Sequence, residues 1–198
     1  MNKAATIIQL ASASPRRRQL LEQLGWQVQV HPVDIDETPA THEDAAVYCL
    51  RMAEQKVRTA MTQLDQGLPI IASDTTVVLD QHILGKPHDN QEAGDMLQRL
   101  SGRTHQVMTA VALAWQGKVE TQISINTVRF AVLEPQLIDA YVATGEPLDK
   151  AGSYGIQGMA ARWIEHIEGS YSAIMGLPLF ETSQLLNKRD IISPLDVS

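Results

Sequence analysis

The sequence has one cysteine, Cys49, among its 198 residues. A single cysteine excludes an intramolecular disulfide and is typical of a reducing cytosolic compartment. Cys49 falls on the apolar stripe of a predicted helix, which favours a packing role over that of a nucleophile. Residues 1–6 also lack the hydrophobic core of a signal peptide. We therefore expect a cytoplasmic protein.

Positive charge is scarce as well: 16 lysines and arginines face 23 acidic residues, for a formal net charge of −7. Such a chain is a poor candidate for binding long nucleic acid, because that requires a general basic field. No apolar run approaches the roughly 20 residues that span a bilayer, so we expect no membrane insertion. The hydrophobic fraction of 44% nevertheless suffices for a sizeable core. The length fits one large domain or two closely packed lobes.

The turn between the first predicted strand (7–10) and the first predicted helix carries an anion-binding signal. Ser14 is a good N-cap, and Pro15 suits the first helical position. Three arginines follow in the first helical turn: Arg16, Arg17 and Arg18. Cations are disfavoured at this end of a helix, but guanidinium groups, Ser12 and free N–H groups together suit a phosphate. A solvated basic helix face is an equally open interpretation.

An acidic loop bounded by prolines is predicted for residues 32–39. It holds three carboxylates in four positions: Asp34, Asp36 and Glu37. The residues by themselves favour a solvated loop. The alternative is a loop in which a divalent cation or an arginine cluster lies among the carboxylates.

The longest predicted helix covers residues 41–64, with Thr41 as its N-cap and Asp44 completing an approximate capping box. Lys56 lies at the edge of the apolar stripe of this helix. The spacing does not decide its role, and without further context we favour a side chain that extends along apolar surface to solvent. The alternative is an ammonium group directed at a phosphate.

A buried strand is predicted for residues 70–80, and four polar residues interrupt it: Ser73, Asp74, Thr75 and Thr76. Burial of an unpaired carboxylate is strongly unfavourable. Asp74 is therefore expected either to pair with a cation or to lie at a strand end that faces a cleft. A carboxylate in the second setting suits a general base or a metal ligand.

Two later segments are less specific. Gly85 and Pro87 restrict the backbone around Lys86, which favours a positioned ammonium group, although an ordinary turn lysine is equally open. Residues 149–158 contain three glycines, which allow close backbone approach. This segment has neither the Gly-Lys-Ser/Thr ending of a P-loop nor the preceding strand of a dinucleotide fingerprint.

The remaining predicted elements complete an alternation of strands and helices. Helices are predicted at 90–100 and 135–144, strands at 27–31, 104–115, 119–132 and 163–167, a turn at 169–171, and a last helix after Pro178. His105 is expected to make a structural hydrogen bond, because no second histidine or cysteine lies at ligand spacing. Residues 188–198 are expected to form a loosely held tail.

In this order, the segments closely resemble the Maf-like nucleotide pyrophosphatases over residues 7–187. The matching motifs are Leu-Ala-Ser-Ala-Ser-Pro-Arg-Arg at 10–17, Asp-Glu-Thr-Pro at 36–39, Ala-Glu-Gln-Lys at 53–56, Ser-Asp-Thr at 73–75, Gly-Lys-Pro at 85–87, Ser-Gly at 101–102 and Asp-Lys-Ala-Gly-Ser-Tyr-Gly-Ile-Gln-Gly at 149–158. The resemblance implies one such domain over residues 1–198. It also implies an α/β fold with a mixed, strongly twisted sheet flanked by helices, and two lobes with a central cleft, as in inosine triphosphatase-like proteins.

The resemblance further implies hydrolysis of a nucleoside triphosphate to the monophosphate and pyrophosphate, with Mg²⁺ or Mn²⁺. The family's proton acceptor matches Asp74, and Glu37 matches a position with a metal role that Asp74 is expected to share. The phosphate-binding positions fall on Ser12, Arg16, Arg17, Lys56 and Lys86. The family also suggests a homodimer.

Three positions match the branch of the family that prefers dTTP and UTP: Arg17, Thr75 and Gln157. By resemblance, we expect Thr75 and Gln157 to contact the pyrimidine and sugar. Thr76 departs from the bulkier apolar residue common in the family. A rival hypothesis is a nucleotide-binding regulator of septum formation with little turnover, since the family is linked to division arrest.

Overall fold

The structure is a computed structural model that describes residues 7–193. The strands in this range are β1 (Ile7–Leu10), β2 (Gln27–Val30), β3 (Ile70–Leu79), β4 (His82–Leu84), β5 (Thr104–Trp115), β6 (Lys118–Phe130) and β7 (Ile164–Glu168). The helices are α1 (Pro15–Gln23), α2 (Ala45–Met61), α3 (Asn90–Leu100), α4 (Pro135–Val142), α5 (Tyr171–Met175) and α6 (Leu179–Asn187). Three short 3₁₀ helices cover Glu146–Asp149, Ala151–Ser153 and Met159–Trp163.

Within residues 7–193 the strands form one mixed sheet with the order β2-β1-β3-β5-β6-β7, and β4 pairs with β3. Strand β1 is parallel to both β2 and β3, whereas β4 and β7 are antiparallel to their partners. Leu10 lies opposite Ile71, and the Ala11 N–H donates to the Ile71 carbonyl at 2.8 Å. Because of this register, the turn that follows β1 begins beside the polar residues 73–76 of β3. The prediction of a mixed α/β fold with a central sheet and flanking helices is confirmed.

The chain divides into two compact units. Among the described residues, the first unit comprises 7–74, 109–124 and 176–193, and the second comprises 75–108 and 125–175. The first has a core of fully buried side chains that includes Leu10, Leu21, Met52, Ile71 and Leu113. The core of the second includes Leu97, Leu100 and Phe130. In the described part of the chain, no helix has the length and apolar character needed to cross a membrane.

Helix α2 begins later than the sequence predicted. Its N-cap is Asp44, whose Oδ1 accepts the N–H groups of Ala46 at 2.9 Å and Val47 at 3.1 Å. Thr41 therefore lies outside the helix, and the prediction of a helix starting there was wrong. The physical reason is that the carboxylate of Asp44 satisfies two free N–H groups at the helix start.

Several other elements also differ from the sequence prediction. Helix α5, which was not predicted, begins at Tyr171, directly after a bend at Gly169 in the predicted turn, and the 3₁₀ helices lie in segments without hydrophobic periodicity. In contrast, α3 and β5 have the predicted bounds. His105 makes the expected structural hydrogen bond, with its Nε2 atom 2.7 Å from the Tyr154 hydroxyl.

The C-terminal segment contacts the first unit. Lys188 and Arg189 pair with the Glu120 carboxylate at 2.6 and 2.8 Å. Ile191 is buried, and the Ser193 hydroxyl donates to the Leu24 carbonyl. The rest of the predicted tail, 194–198, lies outside the described residues.

Candidate functional site

The turn between β1 and α1 is organised by Ser12. Its buried Oγ accepts the Ser14 N–H at 3.2 Å and the Arg17 Nη1 at 3.1 Å. Ser14 is the N-cap and Pro15 the first helical residue, as predicted, but the Ser14 side chain makes no capping bond. Ser12 therefore both holds the turn and fixes one side of the Arg17 guanidinium.

Gly176 fixes the other side of Arg17 and was not singled out in the sequence. The Arg17 Nε donates to the Gly176 carbonyl at 2.8 Å, and the Ser73 Oγ lies 2.9 Å from the same oxygen. Gly176 has a φ of +120°, a conformation that strongly favours glycine. The sequence offered only a glycine two positions before Pro178, a pattern typical of any turn before a helix.

The three arginines of α1 have different surroundings. Burial lowers the pKa of the Arg17 guanidinium, and the negative charge of Asp74 opposes this effect. Arg16 is half-buried, and its guanidinium group makes neither a hydrogen bond nor an ion pair with any residue in 7–193. Arg18 is exposed and pairs with Glu22 at 2.7 Å along the helix. Arg16 and Arg17 are thus the two partly buried arginines of α1.

A charged triad lies in the same unit. The Lys56 Nζ atom is 2.6 Å from Asp74 Oδ1 and 2.6 Å from Glu37 Oε1. The Lys56 and Asp74 side chains are 10% and 11% exposed, whereas the Glu37 side chain is 40% exposed. The interpretation that Lys56 extends to solvent was wrong, because its ammonium group is held between two carboxylates.

Asp74 lies in the middle of β3 and not at a strand end. Of the two settings predicted for this carboxylate, pairing with a cation is the one observed. Helix α2 makes the pairing possible, since Lys56 and the buried Cys49 lie on the face of α2 toward β3. The Cys49 Sγ lies 3.5 Å from the Asp74 carbonyl, in the packing role expected for it.

The acidic loop is held by α2 through residues that sequence reasoning missed. The Tyr48 hydroxyl donates to the Glu37 carbonyl at 2.8 Å, and Arg51 donates to the Thr38 carbonyl at 3.2 Å. Arg51 also forms a bidentate salt bridge with Glu43, in which its Nε lies 2.7 Å from Oε1 and its Nη2 lies 2.6 Å from Oε2. Burial and the nearby carboxylates raise the pKa of the Tyr48 phenol, which keeps it a donor.

Glu37 and Asp74 are the residues of this triad that could hold a divalent cation. Two carboxylates, Glu37 and Asp74, approach one cationic centre, and carboxylate oxygens are the ligands that Mg²⁺ and Mn²⁺ prefer. In the described range 7–193, no cluster of three or more acidic, histidine or cysteine side chains forms a complete metal site. Further ligands would therefore come from phosphate oxygens and water, as is usual for Mg²⁺.

Three predicted site residues belong to the second unit. Thr75 is half-buried in β3, directly after Asp74. The Lys86 side chain is exposed between Gly85, whose carbonyl accepts the Gly152 N–H at 3.0 Å, and the buried Pro87. Gln157 is exposed and forms no hydrogen bond with another residue of the described chain.

Comparison with known proteins gives consistent results. The dTTP/UTP pyrophosphatase of Nitrosomonas europaea is 49% identical over 200 residues, which cover 95% of this chain and 97% of that protein. The dTTP/UTP pyrophosphatase of Pasteurella multocida is 49% identical over 185 residues, covering 89% and 92%. A solved structure of a nucleoside-triphosphatase / dITP/XTP pyrophosphatase from Mycobacterium abscessus aligns with 93% of this chain and 96% of its own. Its identity is 16% and its TM-score is 0.45.

The family model described as Maf-like protein matches residues 7–189, which is nearly all of the described chain. Because this match agrees with relatives that are 49% identical over 92% or more of their length, the chain belongs to the Maf-like protein family.

Proposed function

We propose that this protein hydrolyses nucleoside triphosphates, preferably dTTP and UTP, to the monophosphate and pyrophosphate. Family membership and relatives named dTTP/UTP pyrophosphatase support the reaction and its substrates. The observation that carries the proposal is the Lys56 ammonium group between the carboxylates of Asp74 and Glu37. A buried base paired with a cation, in the unit that holds the Ser12–Arg17 turn, suits attack of water on a phosphate.

Binding of the triphosphate is assigned to Ser12, Arg16, Arg17, Lys56 and Lys86. Arg16 is suited to this role because no residue in 7–193 neutralises its charge through an ion pair. Arg17 is already oriented by Ser12 and Gly176, so little side-chain entropy is lost when it meets a phosphate. The lysines add point charges that stabilise the leaving pyrophosphate.

Asp74 is assigned as the general base. It would take the proton of the water that attacks the α-phosphorus, and the pyrophosphate then leaves with the bridging oxygen. The hydrogen bond from Lys56 fixes the orientation of this carboxylate and compensates its charge within the protein.

Glu37 and Asp74 are the residues that would hold a Mg²⁺ or Mn²⁺ ion. When bound, such an ion neutralises phosphate charge and acidifies water. Glu37 is the more accessible of the two ligands, because its side chain is 40% exposed. The Tyr48 hydrogen bond to its carbonyl keeps the loop in place before the ion arrives.

Preference for pyrimidine nucleotides is assigned to Arg17, Thr75 and Gln157. The exposed amide of Gln157 offers both a donor and an acceptor, the combination needed to read the edge of uracil or thymine. The single, buried Cys49 supports a reducing cytoplasmic location, and the family resemblance supports a homodimer.

A substrate panel tests the proposal. The protein is incubated with each common ribo- and deoxyribonucleoside triphosphate and Mg²⁺ or Mn²⁺, and pyrophosphate and orthophosphate are measured separately. We expect pyrophosphate, fastest from dTTP and UTP. Orthophosphate as the product would indicate a phosphatase. Nucleotide binding without any product would favour the regulator of septum formation.

A further inference from the structure

Gln157 lies in a four-residue turn of the second unit. The Gly158 N–H donates to the Gly155 carbonyl at 3.0 Å, which closes the turn. Ile156 is buried and Gln157 is exposed, so the turn is anchored on one side and presents the amide on the other. The position of this amide therefore depends on what holds Gly155 and Gly158.

The carboxylate of Glu146 is fixed at the end of this turn. The Tyr141 hydroxyl donates to Glu146 Oε1 at 2.9 Å, and the Met159 N–H donates to Glu146 Oε2 at 3.3 Å. The second bond ties the carboxylate to the backbone directly after Gly158. The Glu146 side chain thus links α4, which carries Tyr141, to the segment that carries Gln157.

Gly158 is a glycine because of Glu146 and not because of its own backbone. Its φ of −93° is accessible to any residue. A Cβ atom added at Gly158 would nevertheless overlap the Glu146 carboxyl group. Since Tyr141 and Met159 hold that carboxyl group, it could move only by losing their hydrogen bonds.

A second side chain supports the same turn. The Lys150 stem packs so closely on Gly155 that an added Cβ would lie 3.0 Å from its Cε. The Lys150 ammonium group donates to the Glu146 carbonyl at 2.6 Å. Both ends of the turn are therefore supported from the short 3₁₀ helix that begins at Glu146.

We propose that Glu146 is a positioning residue for nucleobase selection: its carboxylate holds the 155–158 turn and thereby the Gln157 amide. The inference rests on the proposed function and deepens it, because it names what orients a residue assigned to base recognition. In this assignment Glu146 contacts protein groups and not the substrate, and it takes no part in the chemical step.

The test measures kcat/KM for UTP and for CTP, and the ratio of the two. We expect Glu146→Ala to lower this ratio about tenfold, with a smaller change in kcat for UTP. Glu146→Gln should keep most of the ratio, because an amide can still accept the Met159 N–H and donate to the Tyr141 hydroxyl. Glu165→Ala is the matched control, since Glu165 pairs with Arg129 on the surface of the same unit.

A variant that displaces the Glu146 carboxylate by steric overlap provides an independent test of the proposal. Gly158→Ala should displace the Glu146 carboxylate and lower the ratio as Glu146→Ala does. The double variant should be no worse than either single one, because the added methyl group then has no carboxylate to displace. Hydrogen exchange of the peptide 155–163 should rise in both single variants, as the Met159 N–H loses its acceptor.

The outcomes separate the two proposals. If the wild-type protein releases no pyrophosphate from any triphosphate, the proposed function fails and this inference fails with it. If the wild type prefers UTP and both Glu146→Ala and Gly158→Ala keep the full ratio, only the role of Glu146 is overturned. Should Glu146→Ala not fold, Gly158→Ala and Tyr141→Phe decide by the same ratio.

Discussion

The Nζ atom of Lys56 lies 2.6 Å from Oδ1 of Asp74, and both side chains are nearly enclosed by protein. The same nitrogen pairs with Glu37, whose side chain remains 40% exposed. The ammonium group is thus compensated from a buried side and from a solvated side. This asymmetry suits the roles proposed for them: a fixed base at Asp74 and a metal ligand at Glu37 that can exchange partners when substrate binds.

Asp74→Asn should lower kcat for UTP by about 10²-fold or more, because the amide cannot accept the proton. KM should change little, since Lys56 and the arginines remain. Pyrophosphate release under saturating UTP measures the effect. The control is Asp80→Asn, which removes an exposed carboxylate paired with Arg103. A variant at position 74 as active as the wild type would remove Asp74 from the mechanism.

Lys56→Met should destabilise the protein by about 3 kcal/mol, because the buried Asp74 carboxylate loses its ion-pair partner. The contribution of Glu37 is smaller, since that side chain is 40% exposed. Urea unfolding measures the free energy. The double variant Lys56→Met with Asp74→Asn should recover part of the loss, since no buried charge is then left unpaired. No recovery in the double variant would contradict the assigned coupling.

Arg17→Gln should raise KM for UTP about tenfold, the usual effect of losing a charged hydrogen-bond donor to an anion. Arg18→Gln offers an adjacent control, because Arg18 is exposed and pairs with Glu22 along the surface of α1. Steady-state kinetics on both variants measures the difference. Equal KM values for the two variants would show that the Arg17 guanidinium, held by Ser12 and Gly176, does not bind the substrate.

Glu37→Gln should raise the concentration of Mg²⁺ or Mn²⁺ that half-saturates activity by at least about tenfold. Direct Mn²⁺ binding, followed by electron paramagnetic resonance in the absence of turnover, should weaken in parallel. Asp34→Asn is the control, an exposed carboxylate of the same loop. Unchanged Mn²⁺ affinity in Glu37→Gln would exclude Glu37 as a ligand.

The stability of the fold should fall on mild acidification because of His105. Burial lowers the pKa of His105 from its ordinary value near 6.5 to about 4. Its Nδ1 has no hydrogen-bond partner among residues 7–193, so a proton there would be buried unpaired. Between these two pH values the unfolded chain binds a proton that the folded protein does not. The free energy of unfolding therefore falls by up to about 3 kcal/mol from pH 6.5 to pH 4, and is unaffected above pH 6.5.

His105→Gln should show a shallower decline over this interval, because the group that titrates has been removed. Thermal or urea unfolding at intervals of pH measures the two slopes. His82→Gln, at an exposed histidine, should retain the wild-type slope. Parallel curves for wild type and His105→Gln would contradict the assignment.

The sequence predicted elements well where a single periodic pattern was bounded by strong end signals. Strand β5 and helix α3 have the predicted bounds, since α3 ends at Ser101-Gly102 and β5 is apolar on both faces. Helix α2 was extended too far toward the N-terminus because Thr41 and Asp44 are both good caps, and only the bonds from Ala46 and Val47 decide between them. Helix α5 was missed because five residues are too few for periodicity to emerge.

The sequence indicated which residues belong to the candidate site but not which of them contact one another. Asp74 and Lys56 each stood out in the sequence, yet nothing in their spacing of 18 positions indicated that they pair. Tyr48 and Gly176 were missed because one acts through a hydroxyl bond to a loop carbonyl and the other through its own carbonyl. Every residue has a backbone carbonyl, so the residue type does not show which carbonyl accepts a hydrogen bond. Such contacts could therefore not be predicted from the sequence alone.

The Gly176 carbonyl has a consequence for biosynthesis. The carbonyl that accepts the Arg17 Nε–H lies 159 positions later in the chain. A nascent polypeptide that has not yet incorporated residue 176 can build the serine-rich turn but cannot orient Arg17 with it. If Arg17 holds the substrate as proposed, a fragment ending before Gly176 should bind triphosphates weakly even if its remaining strands assemble.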